Sequence, residues 1–103
     1  MIRLLVLYNT PTDIGAFEKH YREVHIPLVK KIEGLRRFTL SRNAAPIHGG
    51  APYFLVAELE WDDMDAFNRA FQSPEGQATA NDVANLEQLS PGVHSMFFEV
   101  EEV

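Results

Sequence analysis

The 103-residue chain has no cysteine. Disulfides, thiolate nucleophiles and Cys-ligated metals are therefore excluded. Positive charge is scarce as well: nine Lys and Arg stand against fifteen Asp and Glu, a net charge of −6. That balance repels phosphate backbones, and no basic stripe with interleaved aromatics offsets it, so nucleic acid is not an expected partner. Long apolar runs are missing too. The opening "MIRLLVLY" gives way to a polar turn too soon for a signal peptide or a membrane span. The expectation is a cytoplasmic protein without a membrane partner. No Gly-rich nucleotide loop is present, which removes flavin and nicotinamide in their motif-bearing sites. Neither a cofactor nor a metal site is expected.

What the chain does have is a core: 46% of its residues are apolar and 11% aromatic. That content is globular, and the length fits one domain spanning 1–103. "IRLLVLY" reads as a buried strand, and "TPTD" supplies a helix start with Thr12 or Asp13 as N-cap. Ile14, Phe17, Tyr21, Val24, Leu28 and Ile32 then recur at the 3–4 spacing of one helix face, ended by Gly34. "LRRFTLSRN" and "YFLVAELEW" alternate as strands around the loop "AAPIHGGAP". Asp62 or Asp63 caps a second helix carrying Met64, Phe67 and Phe71. Ser73 and Pro74 restart it, and it runs to about Leu89. "VHSMFFEVEEV" is the last strand. The order β-α-β-β-α-β predicts a ferredoxin-like α+β sandwich, a four-stranded antiparallel sheet with both helices on one face.

Such a sheet leaves one face bare. In the first strand, Ile2, Leu4 and Val6 serve one face while Leu5 and Leu7 serve the other. In the last strand, Met96, Phe98 and Val100 oppose Val93 and Phe97. A sheet apolar on both sides needs cover on both, and a second copy packed face to face supplies it. A homodimer is expected.

The first helix holds the most informative stretch, "EKHYREVHIPLVKKIEGL". Pro27 donates no N–H and its ring crowds the Glu23 carbonyl, so the helix should kink or break there, with Ile26 pushed out of α geometry. His25 would sit at that bend, on one stripe with Phe17 and Tyr21. His20 lies about 140° away around an unbroken helix and is read as a solvated surface residue. His48, among loop glycines, is given no chemistry, and His94 faces either a cavity or a dimer seam.

"FEKHYREVHIPLVKKIEGLRRF" resembles the signature of the EthD-like proteins of the dimeric α+β barrel superfamily, with Phe17, Tyr21, His25, Pro27, Leu28 and Gly34 in the motif places. "SPEGQATANDVANL" is similar to the family's second helix, where an aspartate recurs at the place of Asp82. An aromatic is common slightly later, where this chain has Leu86. The resemblance implies a ferredoxin-like protomer, a homodimer and a cavity between helices and sheet. Superfamily relatives include isomerases, cyclases, dehydratases, cofactor-free monooxygenases and haem enzymes, and fold does not choose among them.

Together these readings point to a small hydrophobic carbonyl compound as ligand. His25 would be the general acid–base and Asp82 would orient it. Tyr8, Tyr21 and Tyr53 offer hydroxyls, and Phe17 and Trp61 offer apolar walls. Isomerisation, cyclisation or dehydration fits these groups. The alternatives are a non-catalytic metabolite-binding protein, or an oxidoreductase that is either cofactor-free or binds haem through His25.

Overall fold

The structure is a computed structural model that describes all residues, 1–103. Strand β1 (Ile2–Tyr8) is the apolar run read from the sequence, with Ile2, Val6 and Tyr8 buried. Asp13 is the N-cap of α1 (Ile14–His20), accepting a hydrogen bond from the Ala16 N–H at 3.0 Å. A π-helical segment (Tyr21–His25) and α2 (Ile26–Lys30) continue the same limb. Strands β2 (Arg37–Ala44) and β3 (Tyr53–Trp61) follow. Asp63 caps α3 (Met64–Gln72), Ser73 caps α4 (Pro74–Leu89), and β4 (His94–Glu99) closes the chain's order. In the first turn of α4 only glycine fits at position 76, because a Cβ on Gly76 would lie 1.9 Å from the Ala70 carbonyl oxygen of α3.

The sheet order is β2-β3-β1-β4 with every neighbouring pair antiparallel, which is the ferredoxin-like arrangement expected from the sequence. Its helix-covered face presents Val6, Tyr8, Leu55, Ala57, Leu59 and Trp61, and these pack on Phe17, Tyr21, Val29, Ile32 and Leu86. No helix is long and apolar enough to cross a membrane.

The opposite face follows from the register. Met96, Leu5, Glu58 and Thr39 form one cross-strand row, and His94, Leu7, Val56 and Ser41 form the next. A third row holds Phe98, Arg3, Glu60 and Arg37. No helix covers these rows, and Met96 and Phe98 stay exposed at 47% and 37%. His94 therefore belongs to the bare face and not to the helix-covered one.

The helix with the proline departs from expectation. It neither breaks nor forces Ile26 out of α geometry, since Ile26 keeps φ −56° and ψ −46°. The backbone instead widens by one residue, so that the Ile26 N–H bonds the Tyr21 carbonyl, five residues back. A π turn suits a proline because it moves the crowded carbonyl away and leaves the missing donor where the ladder is already interrupted. The extra residue also rotates the buried face. Phe17, Tyr21, His25, Val29 and Ile32 point inward, whereas Ile14 and Val24 are exposed at 49% and 40%.

Candidate functional site

A cavity of about 280 Å³ lies between the sheet and the helices. Leu4, Val6, Phe38, Ala57 and Leu59 form its sheet side, and Val29, Phe67, Phe71, Ala80 and Val83 its helical side. Three polar residues interrupt this apolar lining: His25, Thr79 and Ser95. The Thr79 hydroxyl is committed, donating to the Glu75 carbonyl at 2.9 Å. Tyr8 and Tyr21 complete the wall. The volume is nearly twice the roughly 150 Å³ that holds a benzene ring, so it suits a one- or two-ring compound.

His25 is buried, and its Nδ1 lies 2.9 Å from Asp82 Oδ2. The same carboxylate takes His20 Nε2 at 2.8 Å and the Asn85 side-chain amide at 2.9 Å, both on Oδ1. Burial pushes the Asp82 carboxyl up, but the hydrogen bonds from Asn85, His25 and His20 outweigh it and hold the group below the usual carboxylate range. An ionised carboxylate only accepts, so each imidazole must turn an N–H toward it. For His25 this fixes the Nδ1–H tautomer and leaves Nε2 with a lone pair. That nitrogen has no hydrogen-bond partner within the protein, is not sealed off, and belongs to a ring lining the cavity. Burial lowers the proton affinity of His25 more than the hydrogen bond and charge of Asp82 raise it, and His20 lowers it further. The ring is a neutral base near pH 7.

Tyr8 and Tyr21 stand edge to face, with ring centroids 5.7 Å apart. Burial raises both phenols well above their ordinary range, and the nearby Asp82 charge adds to the effect on Tyr8. Both stay protonated, so they are donors and not bases. Tyr21 also meets the His25 ring at 5.1 Å between centroids.

The structure thus brings His25, Asp82, Tyr8 and Tyr21 together, with Asp82 just behind the wall. Phe17 is not on the wall; it stacks behind Tyr21 at 5.6 Å and braces Tyr8 edge-on at 5.4 Å. Tyr53, half-buried at the start of β3, does not line the cavity. Neither does Trp61 at the other end of that strand, where its indole N–H donates to the Glu33 carbonyl at 3.1 Å. Leu86 is fully buried in the core and also lies off the wall. His48 is exposed in its loop.

His20 corrects the sequence reading. It is no free surface residue but a partner of Asp82, because the π turn brings positions five apart onto one side of the helix. The signal was present as a His-x₄-His spacing followed by proline. The three residues do not form a metal cluster, since the imidazoles face the carboxylate rather than a shared point.

Pro27→Ala tests what the π turn is for. A restored N–H lets the limb return toward regular α pitch, which parts His20 from His25. The melting temperature should hold or rise, since proline is the poorest residue inside a helix. Ligand binding or turnover should fall. A large drop in melting temperature with both unchanged would assign the proline to packing alone.

The EthD domain model matches residues 9–89. An uncharacterised 11.0 kDa protein from the thcB-thcC intergenic region of Rhodococcus erythropolis is 38% identical, covering 100% of this chain and 98% of its own. An EthD family protein of known structure from Bacillus halodurans is 31% identical, with TM-score 0.84 and 98% and 99% of the two chains covered. More distant neighbours share the fold only. SnoaB from Streptomyces nogalater, a cofactor-independent oxygenase, is 22% identical at TM-score 0.64 over 99% and 94% of the chains. A dimeric protein of unknown function from Bacteroides fragilis is 18% identical at TM-score 0.64 over 96% and 95%. Matched by the EthD domain model over residues 9–89 and by relatives 38% and 31% identical over nearly its whole length, this chain belongs to the EthD family.

Proposed function

We propose that the protein is a small-molecule enzyme of metabolism that uses His25 as a cofactor-independent base on a hydrophobic carbonyl compound. The observation that carries this reading is the free Nε2 of a ring lining the cavity, with Nδ1 tied to an ionised carboxylate. A substrate carbonyl oxygen placed against the Tyr8 and Tyr21 hydroxyls would present its adjacent C–H to Nε2. As the proton moves to His25, the electron pair passes to the oxygen, where the two phenols stabilise the enolate. Asp82 stabilises the imidazolium that forms. Returning the proton to another carbon is an isomerisation; giving it to a departing hydroxyl is a dehydration. Neither changes the oxidation level.

The test works whatever the natural substrate is. A panel of one- and two-ring ketones and 1,3-dicarbonyls is incubated with the protein in D₂O and followed by NMR. Protein-dependent exchange of the proton next to the carbonyl is the expected result. Compounds that bind without exchange would favour the non-catalytic binding protein instead.

A second reading shares the first step. The cofactor-independent oxygenase among the fold neighbours favours a substrate whose carbanion goes on to react with O₂. Oxygen uptake by the exchanging compounds separates the two. The uncovered sheet face supports a homodimer as the working form.

A further inference from the structure

The three groups around Asp82 differ in their access to water. The His20 side chain is 26% exposed, whereas those of Asp82 and His25 are 6% and 5% exposed. His20 Nε2 lies within hydrogen-bond distance of both carboxylate oxygens, at 2.8 and 3.0 Å, and shares Oδ2 with His25. We propose that His20 is a positioning residue for His25, acting from the solvent side through the Asp82 carboxylate that both rings bond. The proposal rests on His25 being the cavity base.

The physical basis is one anion shared by two imidazoles. From α4, Asp82 and Asn85 face the pair; from β1, the neutral Tyr8 phenol adds no charge. On the helical limb itself, Glu18 is occupied by Arg22 and Arg42. Asp82 is therefore the one charge that both rings hold in common. His20 already turns Nε2–H to the carboxylate, so it gains a proton at Nδ1 without losing that bond. The cation then offsets the negative charge felt by His25. While His20 is neutral, the full carboxylate charge acts on His25; once His20 carries a proton, the cavity ring becomes a weaker base. Protonation of either ring is thus felt by the other through the carboxylate they share. Their geometry is coupled too, since His20 and Asn85 hold Oδ1 and so aim Oδ2 at His25.

Histidine ¹⁵N NMR tests this without a substrate. In the wild-type protein the His25 resonances should follow a two-step curve, with a step where His20 titrates. His20→Gln keeps an N–H donor for Asp82 but carries no charge. In that variant the His25 curve should collapse to one step and its midpoint should move to higher pH, with the Nδ1–H tautomer kept. An unchanged His25 curve in the variant overturns the proposal, as a merely structural role predicts. Should the variant not fold, the wild-type titration decides alone, and two independent single-step curves overturn it equally. Turnover adds a further readout once an exchanging carbonyl compound is known. His20→Gln should change kcat by less than about tenfold and leave KM unaltered, because His20 touches no substrate, while moving the acid limb of the pH profile upward. Failure of the base reading shows separately, as absence of exchange with His25 coupling intact.

Discussion

Replacing His25 by glutamine should reduce turnover of an exchanging carbonyl compound by about 10²–10⁴, or roughly 3–5 kcal/mol of barrier, while leaving its binding within a few fold. Glutamine matches the ring in polarity and rough size, and its amide N–H can still meet Asp82. What it lacks is the lone pair of the unpartnered Nε2 on a ring that lines the cavity. The loss should fall on kcat and kcat/KM together, because the interaction removed belongs to the transition state. Asp82→Asn should act in the same direction. It removes the charge that stabilises the imidazolium, and its amide could donate to Nδ1 and so turn the ring into the wrong tautomer. His48→Gln, in an exposed loop, is the control. His20 cannot serve as one, since it shares the carboxylate. If His25→Gln turns over normally, the ring is structural and the binding-protein reading prevails.

The parts of this molecule legible in the sequence are those set by local chemistry. β1 spans its apolar run, Ile2–Tyr8, and β3 its alternating stretch, Tyr53–Trp61. Asp13, Asp63 and Ser73 cap the helices because each can accept a backbone N–H at its own turn, which is a property of three or four neighbouring residues. Pro27 was a different kind of signal. It announced that an α-helical turn could not form normally, but not whether the backbone would break, kink or widen. The widening is what unites His20 with His25, so a residue placed on the wrong face by an α-helical wheel became part of the site.

Distance along a strand was the other blind spot. Alternation correctly turns Trp61 inward, but it says nothing of where along the sheet the cavity lies. Trp61 sits at the far end of β3, against Phe67 at 5.3 Å and Phe71 at 5.4 Å, so it closes the core beyond the cavity. The same two phenylalanines, with Phe38, supply the apolar wall expected from Trp61 and Phe17. The meeting of His25 with Asp82, 57 positions apart, depends on how α4 packs beside the first helical limb. No local pattern encodes that packing; only the resemblance to a family pointed to the aspartate.

Leu5→Asp should convert a dimer into a monomer. Register places Leu5 between Glu58 and Met96 on the face no helix covers, with Leu7 and Val56 in the next row. In a face-to-face pair of sheets this row is removed from water, and the one cation nearby on β1, Arg3, is already bonded to Glu60, so the new carboxylate would be buried without a partner of its own. One of its two direct cross-strand neighbours is already the acidic Glu58. An unpaired charge in such a place costs about 3–5 kcal/mol, which weakens dimerisation by at least roughly two orders of magnitude. Both copies carry the change, so the effect is felt twice. Light scattering should give about twice the 11.7 kDa chain mass for the parent protein at micromolar concentration, and the single-chain mass for the variant. The protomer fold should survive, because Leu5 is not part of the core packed under the helices. Circular dichroism of the variant should match the parent, and His25 should keep its contact with Asp82 on the opposite side of the sheet. A parent protein that is already monomeric and soluble would remove the homodimer, and the bare apolar rows would then require another explanation.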